Sequence, residues 1–174
     1  MMNTKLTYKS IHTSTTIAII VSLFLVFICF SANAQEHPPR PMIVNLHAVQ
    51  NLSFGAFIQG NVGGQVIIDP QGSRTVTGDL IPANMGYSYY PAIFQIDAIP
   101  GTVISILFGS DVLLPGNHGG SITLSVDTSL PHSPFITKTA STLVRVGGSL
   151  EVGDSGHNPA GDYYGTFFIT FIQQ

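Results

Sequence analysis

The most enzyme-like stretch of the sequence is Gly153-Asp154-Ser155-Gly156, a tetrapeptide that also surrounds the nucleophile in one large class of serine proteases. A serine nucleophile needs a histidine base, a buried carboxylate that orients the histidine, and a scaffold that holds all three groups. Only 18 residues follow Gly156, and they read as a turn and a final strand. The sequence therefore predicts a polar turn here and a protein that is not an enzyme.

Metal ligands are present, but their spacing is not that of a metal site. Asp154, Asn158 and Asp162 are four residues apart, whereas a helix-flanked calcium loop takes ligands from positions 1, 3 and 5. No two of the six histidines stand at i, i+2 or i, i+4. Phosphate-binding and dinucleotide-binding glycine motifs are also missing. We expect no cofactor and no metal.

Charge is scarce throughout the chain. Only 9% of the 174 residues are charged, against about 25% in an ordinary soluble domain, while 44% are hydrophobic and the formal net charge is −3. A chain with this balance has no basic surface for nucleic acid, so we expect no nucleic-acid partner.

The first 34 residues have the three parts of a secretory signal. Lys5 and Lys9 precede an apolar run over residues 17–30, and Ala32-Asn33-Ala34 offers small residues for cleavage after Ala34. The alternative is an uncleaved anchor, but the run is shorter than the roughly 20 residues that cross a bilayer. We predict a signal-peptide helix over 1–34 and an exported protein that is periplasmic, cell-surface or extracellular, with no membrane attachment after cleavage.

The only cysteine, Cys29, leaves with this leader, so we expect no disulfide bonds. Residues 35–41 contain three prolines and predict an extended linker. From residue 42 onward helical periodicity is missing and two-residue alternation is common, as in Ser121–Val126. Residues 42–174 therefore predict a single domain of the all-β class, an immunoglobulin-like antiparallel β-sandwich.

Turn residues separate the predicted strands. Asp69-Pro70-Gln71-Gly72, Pro100-Gly101 and Gly147-Gly148 each join two β-prone runs and predict hairpin turns. The strands between the turns are predicted at 43–49, 65–69, 74–79, 92–98, 102–108, 121–126, 142–146, 150–152 and 163–172.

The last predicted strand begins at a glycine-tyrosine corner. Bulky side chains on both faces of residues 163–172 predict the longest strand of the domain, in a central position. Structural strand and turn roles are predicted for Gly161, Tyr163, Gly165 and Phe167. Two roles stay open for Tyr163, because its hydroxyl could tie down a corner of the sandwich or its ring could simply fill the core.

Five stretches in order also resemble a known bacterial family, domain of unknown function 4402. They are Leu52-Ser53-Phe54-Gly55, Gly64-Gln65-Val66-Ile67-Ile68-Asp69-Pro70, Ala92-Ile93-Phe94-Gln95-Ile96, Val146-Gly147-Gly148-Ser149-Leu150-Glu151-Val152 and Gly161-Asp162-Tyr163-Tyr164-Gly165-Thr166-Phe167. One departure is Ala98, where the family more often has glycine. The resemblance implies a secreted sandwich related in style to pilin and spore-coat subunits, and it carries over no catalytic residues.

Two functions follow as expectations. The first is a secreted or cell-surface structural protein that associates with itself, as a pilin-like subunit does, or with another surface protein. Lys138 is the only lysine after the leader, and lysine is the residue that usually guards sheet edges. Met42, Val44 and Leu46 alternate behind the linker and form a candidate edge-pairing segment, in the chain's own domain or in a neighbour's.

The alternative is an adhesin-like module that binds a glycan or surface ligand through its loops. The predicted loop at 83–90 carries Tyr87, Tyr89 and Tyr90, whose rings could stack on sugars. The competing interpretation is that these rings belong to a small satellite core.

Overall fold

Alternation of apolar and polar side chains produces strands along nearly all of the described chain. The computed structural model describes residues 46–174, with side chains described from residue 48, so the predicted leader, the linker, Met42 and Val44 lie outside the described residues. The strands are β1 (Leu46–Gln50), β2 (Ser53–Phe54), β3 (Ala56–Ile68), β4 (Arg74–Ala83), β5 (Tyr89–Tyr90), β6 (Ala92–Asp97), β7 (Val103–Phe108), β8 (Val112–Pro115), β9 (Ser121–Leu130), β10 (Phe135–Ile136), β11 (Ser141–Val152) and β12 (Ile169–Gln173).

All strand pairs between these elements are antiparallel, and no helix occurs in residues 46–174. The prediction of an all-β fold built from antiparallel sheets is confirmed, and the layers are compatible with an immunoglobulin-like sandwich.

The largest sheet is organised around β11. Its first half pairs with β6, its second half pairs with β3, and β9 pairs along the other edge. Strand β1 continues the sheet beyond β6, β4 continues it beyond β3, and β8 continues it beyond β9. A second sheet has the order β10-β7-β12, and β2 and β5 form a short pair of their own.

Two clusters of buried side chains fill the interior. One lies between β6, β11 and the three-stranded sheet, and it includes Ile96, Ile104 and Val144, each fully buried. The other is built mainly from β3, β8, β9 and the second half of β11, and it includes Val66 and Ile68. Each fully buried Val or Ile contributes about 1.5–3 kcal/mol to folding.

The hairpin of β3 and β4 folds back on itself. In the strand register Ala56 pairs with Ala83 at one end and Ile68 pairs with Arg74 at the other, yet Nη1 of Arg74 lies 3.1 Å from the Ala56 carbonyl oxygen. The bend falls at the register irregularity between Gln59 and Gly64. Residues 60–64 therefore form a bend inside β3.

Asp79 completes this bend. Its carboxylate accepts hydrogen bonds from the backbone N–H groups of Asn61, at 2.6 Å, and Val62, at 3.4 Å. These N–H groups lie at the irregularity, where the ladder to β4 is interrupted, so the carboxylate replaces a missing strand partner.

Of the three predicted hairpin turns, one is confirmed and two are wrong. The turn Asp69-Pro70-Gln71-Gly72 joins the paired strands β3 and β4, and Gly72, at φ +99°, donates to the Asp69 carbonyl. Pro100-Gly101 is a turn between β6 and β7, but these strands belong to different sheets and do not pair. Gly147-Gly148 lies inside β11, which runs unbroken from Ser141 to Val152.

The prediction of a long, central last strand is also wrong. Strand β12 has five residues, Ile169–Gln173, and pairs only with β7, so it forms an edge of the three-stranded sheet within the described chain. Residues 163–168 precede β12 outside any regular strand, and of these Tyr163 and Phe167 pack against the buried clusters. The longest strand is β3, with 13 residues.

Candidate functional site

The guanidinium of Arg74 lies at the centre of a small site formed by the folded-back hairpin. Its Nη1 donates hydrogen bonds to the carbonyl oxygens of Phe54 and Ala56, both at 3.1 Å, and its Cζ lies 4.4 Å from the ring centroid of Tyr89. Gly55 passes directly beneath it at φ +70°, and a Cβ there would lie 2.9 Å from Nη1. The glycine thus permits both the left-handed backbone and the close approach of the arginine.

Of the three predicted ligand-contacting tyrosines, Tyr89 contacts this arginine with its ring. Tyr89 and Tyr90 form β5, which pairs with Ser53 and Phe54, and Tyr87 precedes that strand. Tyr87 is 65% exposed, Tyr89 43% and Tyr90 37%. These rings lie at the surface rather than in a satellite core, and the carbonyl oxygen of Tyr87 lies within 3.1 Å of the position above Gly55.

A second candidate surface is the outer face of the three-stranded sheet, together with the edge of β12 that has no strand partner within residues 46–174. Its exposed large side chains are apolar: Leu107 on β7, Ile136 on β10, Ile172 on β12 and Phe168 just before β12. Ile104 and Ile106 point inward from β7, so the alternation of that strand leaves Leu107 outside. No charged residue occurs between Gly165 and Gln174.

The candidate edge-pairing segment is only partly described. Leu46 belongs to β1 and pairs with Ile96 of the same chain, so Leu46–Gln50 adds a strand to its own domain. Met42 and Val44 lie outside the described residues.

Tyr163 ties a corner of the sandwich. Its hydroxyl donates a 2.6 Å hydrogen bond to the Pro159 carbonyl oxygen, four residues upstream, and burial raises the pKa of the phenol. A Cβ on Gly161 would collide with Oδ1 of Asn117, and one on Gly165 would lie 2.7 Å from Leu114. These glycines let the chain turn closely against β8.

Phe167 follows this corner and contacts both buried clusters. Its ring meets Phe94 edge-on, with centroids 6.5 Å apart. Gly161, Tyr163, Gly165 and Phe167 thus have structural positions, in the turn and packed segment that lead to β12.

The protease-like tetrapeptide forms a turn. The Asp154 carbonyl accepts hydrogen bonds from the N–H groups of His157 and Asn158, and the Asp154 carboxylate lies 2.7 Å from Nδ1 of His157. That hydrogen bond, together with one from the Gly156 N–H, lowers the pKa of Asp154. The His157 side chain is 83% exposed, and Ser155 makes no hydrogen bond within the described chain. A solvent-exposed pair of this kind lacks the shielded, aligned geometry of a catalytic triad.

Side chains that could bind a metal ion are dispersed over the described residues. No group of three or more His, Cys, Asp or Glu side chains that could hold a metal ion occurs in residues 46–174. The same residues contain no helix that is long and apolar enough to span a membrane.

Comparison with known proteins decides the family. The sequence profile of one family, described as a domain of unknown function (DUF4402), matches residues 44–172. The chain belongs to the DUF4402 family. All five stretches that carried the resemblance lie inside the matched range. In this DUF4402 domain they contribute Phe54 and Gly55 of the Arg74 site, the second halves of β3 and β11, most of β6, and the Tyr163 corner. No curated protein and no solved structure matched the chain.

The sequence predicted the tyrosines of the Arg74 site but not its arginine. Arg74 follows a turn by two residues, which is an ordinary place for a charged strand residue. The sequence feature that could have drawn attention to Arg74 is the small number of arginines, because Arg74 and Arg145 are the only two after residue 41.

Proposed function

We propose that this DUF4402 domain is a non-enzymatic structural or interaction module of an exported surface protein, and that it associates with copies of itself through the free edge of β12. The observation that carries the proposal is the unguarded character of that edge. Strand β12 pairs on one side only within the described chain, and its sequence contains no lysine, no proline and no acid.

Edge strands with unpaired backbone groups recruit further strands, and proteins usually block them with charge, proline or bulges. Strand β4 illustrates such a block, because its hairpin bends at an irregularity and its end carries Pro82. Strand β12 has neither device. Its paired register with β7 runs without interruption from Ile169 to Gln173.

The outer face beside this edge would add apolar contact to backbone pairing. Phe168 is 76% exposed and Ile172 44%, and residues 168, 170 and 172 share one face of an extended segment. Leu107 pairs with Thr170 and extends the same surface. Large apolar side chains clustered on a soluble domain are typical of association surfaces.

Association through β12 does not require strand exchange. Because Leu46–Gln50 already pairs with β6 in its own domain, a neighbouring copy would dock on the opposite, three-stranded sheet. This arrangement differs from donation of the segment that contains Met42 and Val44, and truncation separates the two.

Sedimentation velocity over a wide range of concentrations tests the proposal on residues 35–174. We expect the average mass to rise with concentration, and we expect Ile172→Lys to keep the protein monomeric, because a lysine at this surface would have to be buried on pairing. Val62→Lys is the matched control, since Val62 is 80% exposed at the bend of β3. Removal of residues 35–45 should leave association unchanged.

A strictly monomeric wild-type protein would contradict self-association. Association by the wild type that Ile172→Lys leaves intact would exclude β12, and association lost with residues 35–45 would favour strand donation by Met42 and Val44.

Export is the second part of the proposal and depends on the leader-like first 34 residues. The N-terminal residue of the protein recovered from its host cells tests it. A mature chain that begins at Gln35 supports cleavage, whereas a chain that retains residues 1–34 contradicts it.

A second candidate function is glycan binding through the surface around Tyr87. The supporting observation is that all three tyrosines of this surface remain at least partly exposed, which leaves ring faces available to sugars. A glycan array probed with the wild type and with Tyr87→Ala tests it. Binding that Tyr87→Ala weakens supports this candidate, and an array without signal removes it.

A further inference from the structure

Arg74 is a half-buried cation that has no carboxylate partner. The described chain contains one ion pair, between Asp154 and His157, so no acid neutralises Arg74 within residues 46–174. Charged side chains are rarely buried in proteins unless they are paired. Here two backbone carbonyls and the face of Tyr89 hold the guanidinium, and they leave its charge uncompensated.

One edge of the Arg74 guanidinium, formed by Nε and Nη2, makes no hydrogen bond within the described chain; we call it the open edge. A guanidinium has five N–H donors, and Nη1 spends its two on the carbonyls of Phe54 and Ala56. The three donors on Nε and Nη2 have no partner in the described chain. Thr142 Oγ1 is the only fully buried, unpartnered side-chain atom described, so Nε and Nη2 reach solvent.

The open edge is held in a fixed orientation. Nη1 is bonded on both hydrogens, the ring of Tyr89 supports one face, and the backbone of Gly55 lies close beneath. The Nε and Nη2 hydrogens form the fork that takes a carboxylate through two parallel bonds. A fork that is already oriented loses little conformational freedom when it binds.

The backbone of Tyr87 lies beside Arg74. The position above Gly55 is 2.9 Å from Nη1 of Arg74, 3.1 Å from the carbonyl oxygen of Tyr87 and 3.3 Å from Cβ of Tyr89. The Tyr87 carbonyl, Cβ of Tyr89 and Nη1 of Arg74 therefore approach one point, and Tyr87 has the most exposed ring of the three tyrosines.

We propose that this site binds an acidic saccharide of the uronate class, whose carboxylate pairs with Nε and Nη2 of Arg74 while a pyranose ring packs on Tyr87. The inference rests on the glycan-binding candidate and is independent of self-association. The single cation suits one carboxylate per bound sugar.

Calorimetric titration of residues 35–174 tests the site. The probes are short oligomers of galacturonic, glucuronic and mannuronic acid, each compared with its methyl ester, which keeps the sugar rings and masks the carboxylates. We expect at least one acid to bind about tenfold or more tightly than its ester, since a charge-assisted bidentate pair is lost in the ester.

Three variants locate the effect. Tyr87→Ala should weaken both acid and ester while leaving the Arg74 contacts in place, and Arg74→Lys should remove most of the preference for the acid, because lysine lacks the fork. Arg145→Gln is the matched control for loss of a positive charge, since Arg145 is exposed on β11, and it should bind as the wild type does. Thermal unfolding of Arg74→Lys checks that the variant is folded.

Equal affinity for acid and ester would overturn the role of Arg74 and leave glycan binding intact. Tighter binding of a heparin-type sulfated oligomer than of any uronate would overturn the carboxylate assignment. Absence of binding to all uronates, with neutral sugars bound on an array, would overturn this inference alone. Absence of all saccharide binding would remove the glycan-binding candidate as well.

Discussion

Removal of the Tyr163 hydroxyl measures what the corner of the sandwich contributes to stability. Tyr163→Phe keeps the ring, which packs against the cluster that contains Leu114, and deletes only the 2.6 Å hydrogen bond to the Pro159 carbonyl. A net intramolecular hydrogen bond is worth about 0.5–1.5 kcal/mol, and stranding a buried acceptor raises the cost to as much as about 3 kcal/mol. Pro159 is half-buried, so water can partly replace the hydroxyl and we expect a loss of about 1–2 kcal/mol.

Urea unfolding of residues 35–174 measures this loss as a lower midpoint at unchanged slope. In a thermal melt it corresponds to a decrease of about 3–8 °C in Tm for a domain of this size. The matched control is Tyr164→Phe, because Tyr164 is the next residue, is 72% exposed and makes no hydrogen bond within the described chain. The control should change stability by less than about 0.5 kcal/mol. Equal effects of the two substitutions would refute the corner and leave Tyr163 as an ordinary core residue.

Three further predictions concern packing and charge. Gly147→Ala should lower the free energy of unfolding, measured in urea, by about 1–3 kcal/mol, because a Cβ there meets the Ile68 carbonyl. Gly156→Ala should lower it by less, because a Cβ there meets only the flexible side chain of Asp154. Ile96→Ala should cost about 2–5 kcal/mol in the same assay, because it opens a cavity at a fully buried position. The Asp154 carboxyl should titrate below its ordinary pKa of 3.8 when followed by NMR. The hydrogen bonds of the ionised carboxylate therefore stabilise the fold at pH values above 3.8, and this stabilisation is lost as the pH falls through the lowered pKa. His157→Ala should raise the pKa of Asp154 towards its ordinary value, because it removes one of these hydrogen bonds.

Strand positions were predictable because alternation is a local property. Ser121–Val126 alternates strictly and lies in β9, which the structure extends to Leu130. The turn at Asp69-Pro70-Gln71-Gly72 was predictable for the same reason, since its residues determine its geometry without help from distant parts of the chain.

The predictions that were wrong depend on contacts between distant residues. Gly147-Gly148 has the composition of a turn, but these glycines are needed because backbone atoms of Ile68 and Ser125 leave no room for a side chain. Bulk on both faces of residues 163–172 indicated a central strand. In the structure the Tyr163 corner holds the first part of this segment against β8, and only the last part enters a sheet, at its edge.

The candidate site was predictable only in part for a related reason. Exposed tyrosines in a polar loop follow from local composition. The approach of Arg74 to Gly55 depends on the bend of the β3–β4 hairpin, and the spacing of residues in the sequence does not predict that bend.

Strand β11 carries a mechanical consequence for the whole domain. Its first half supplies Val144 and Val146 to one buried cluster, and its second half supplies Leu150 and Val152 to the other. Unfolding of either cluster would therefore displace β11 and remove side chains from the other cluster. Although the chain has no covalent cross-link after Cys29, we expect its two interiors to unfold together in one cooperative transition.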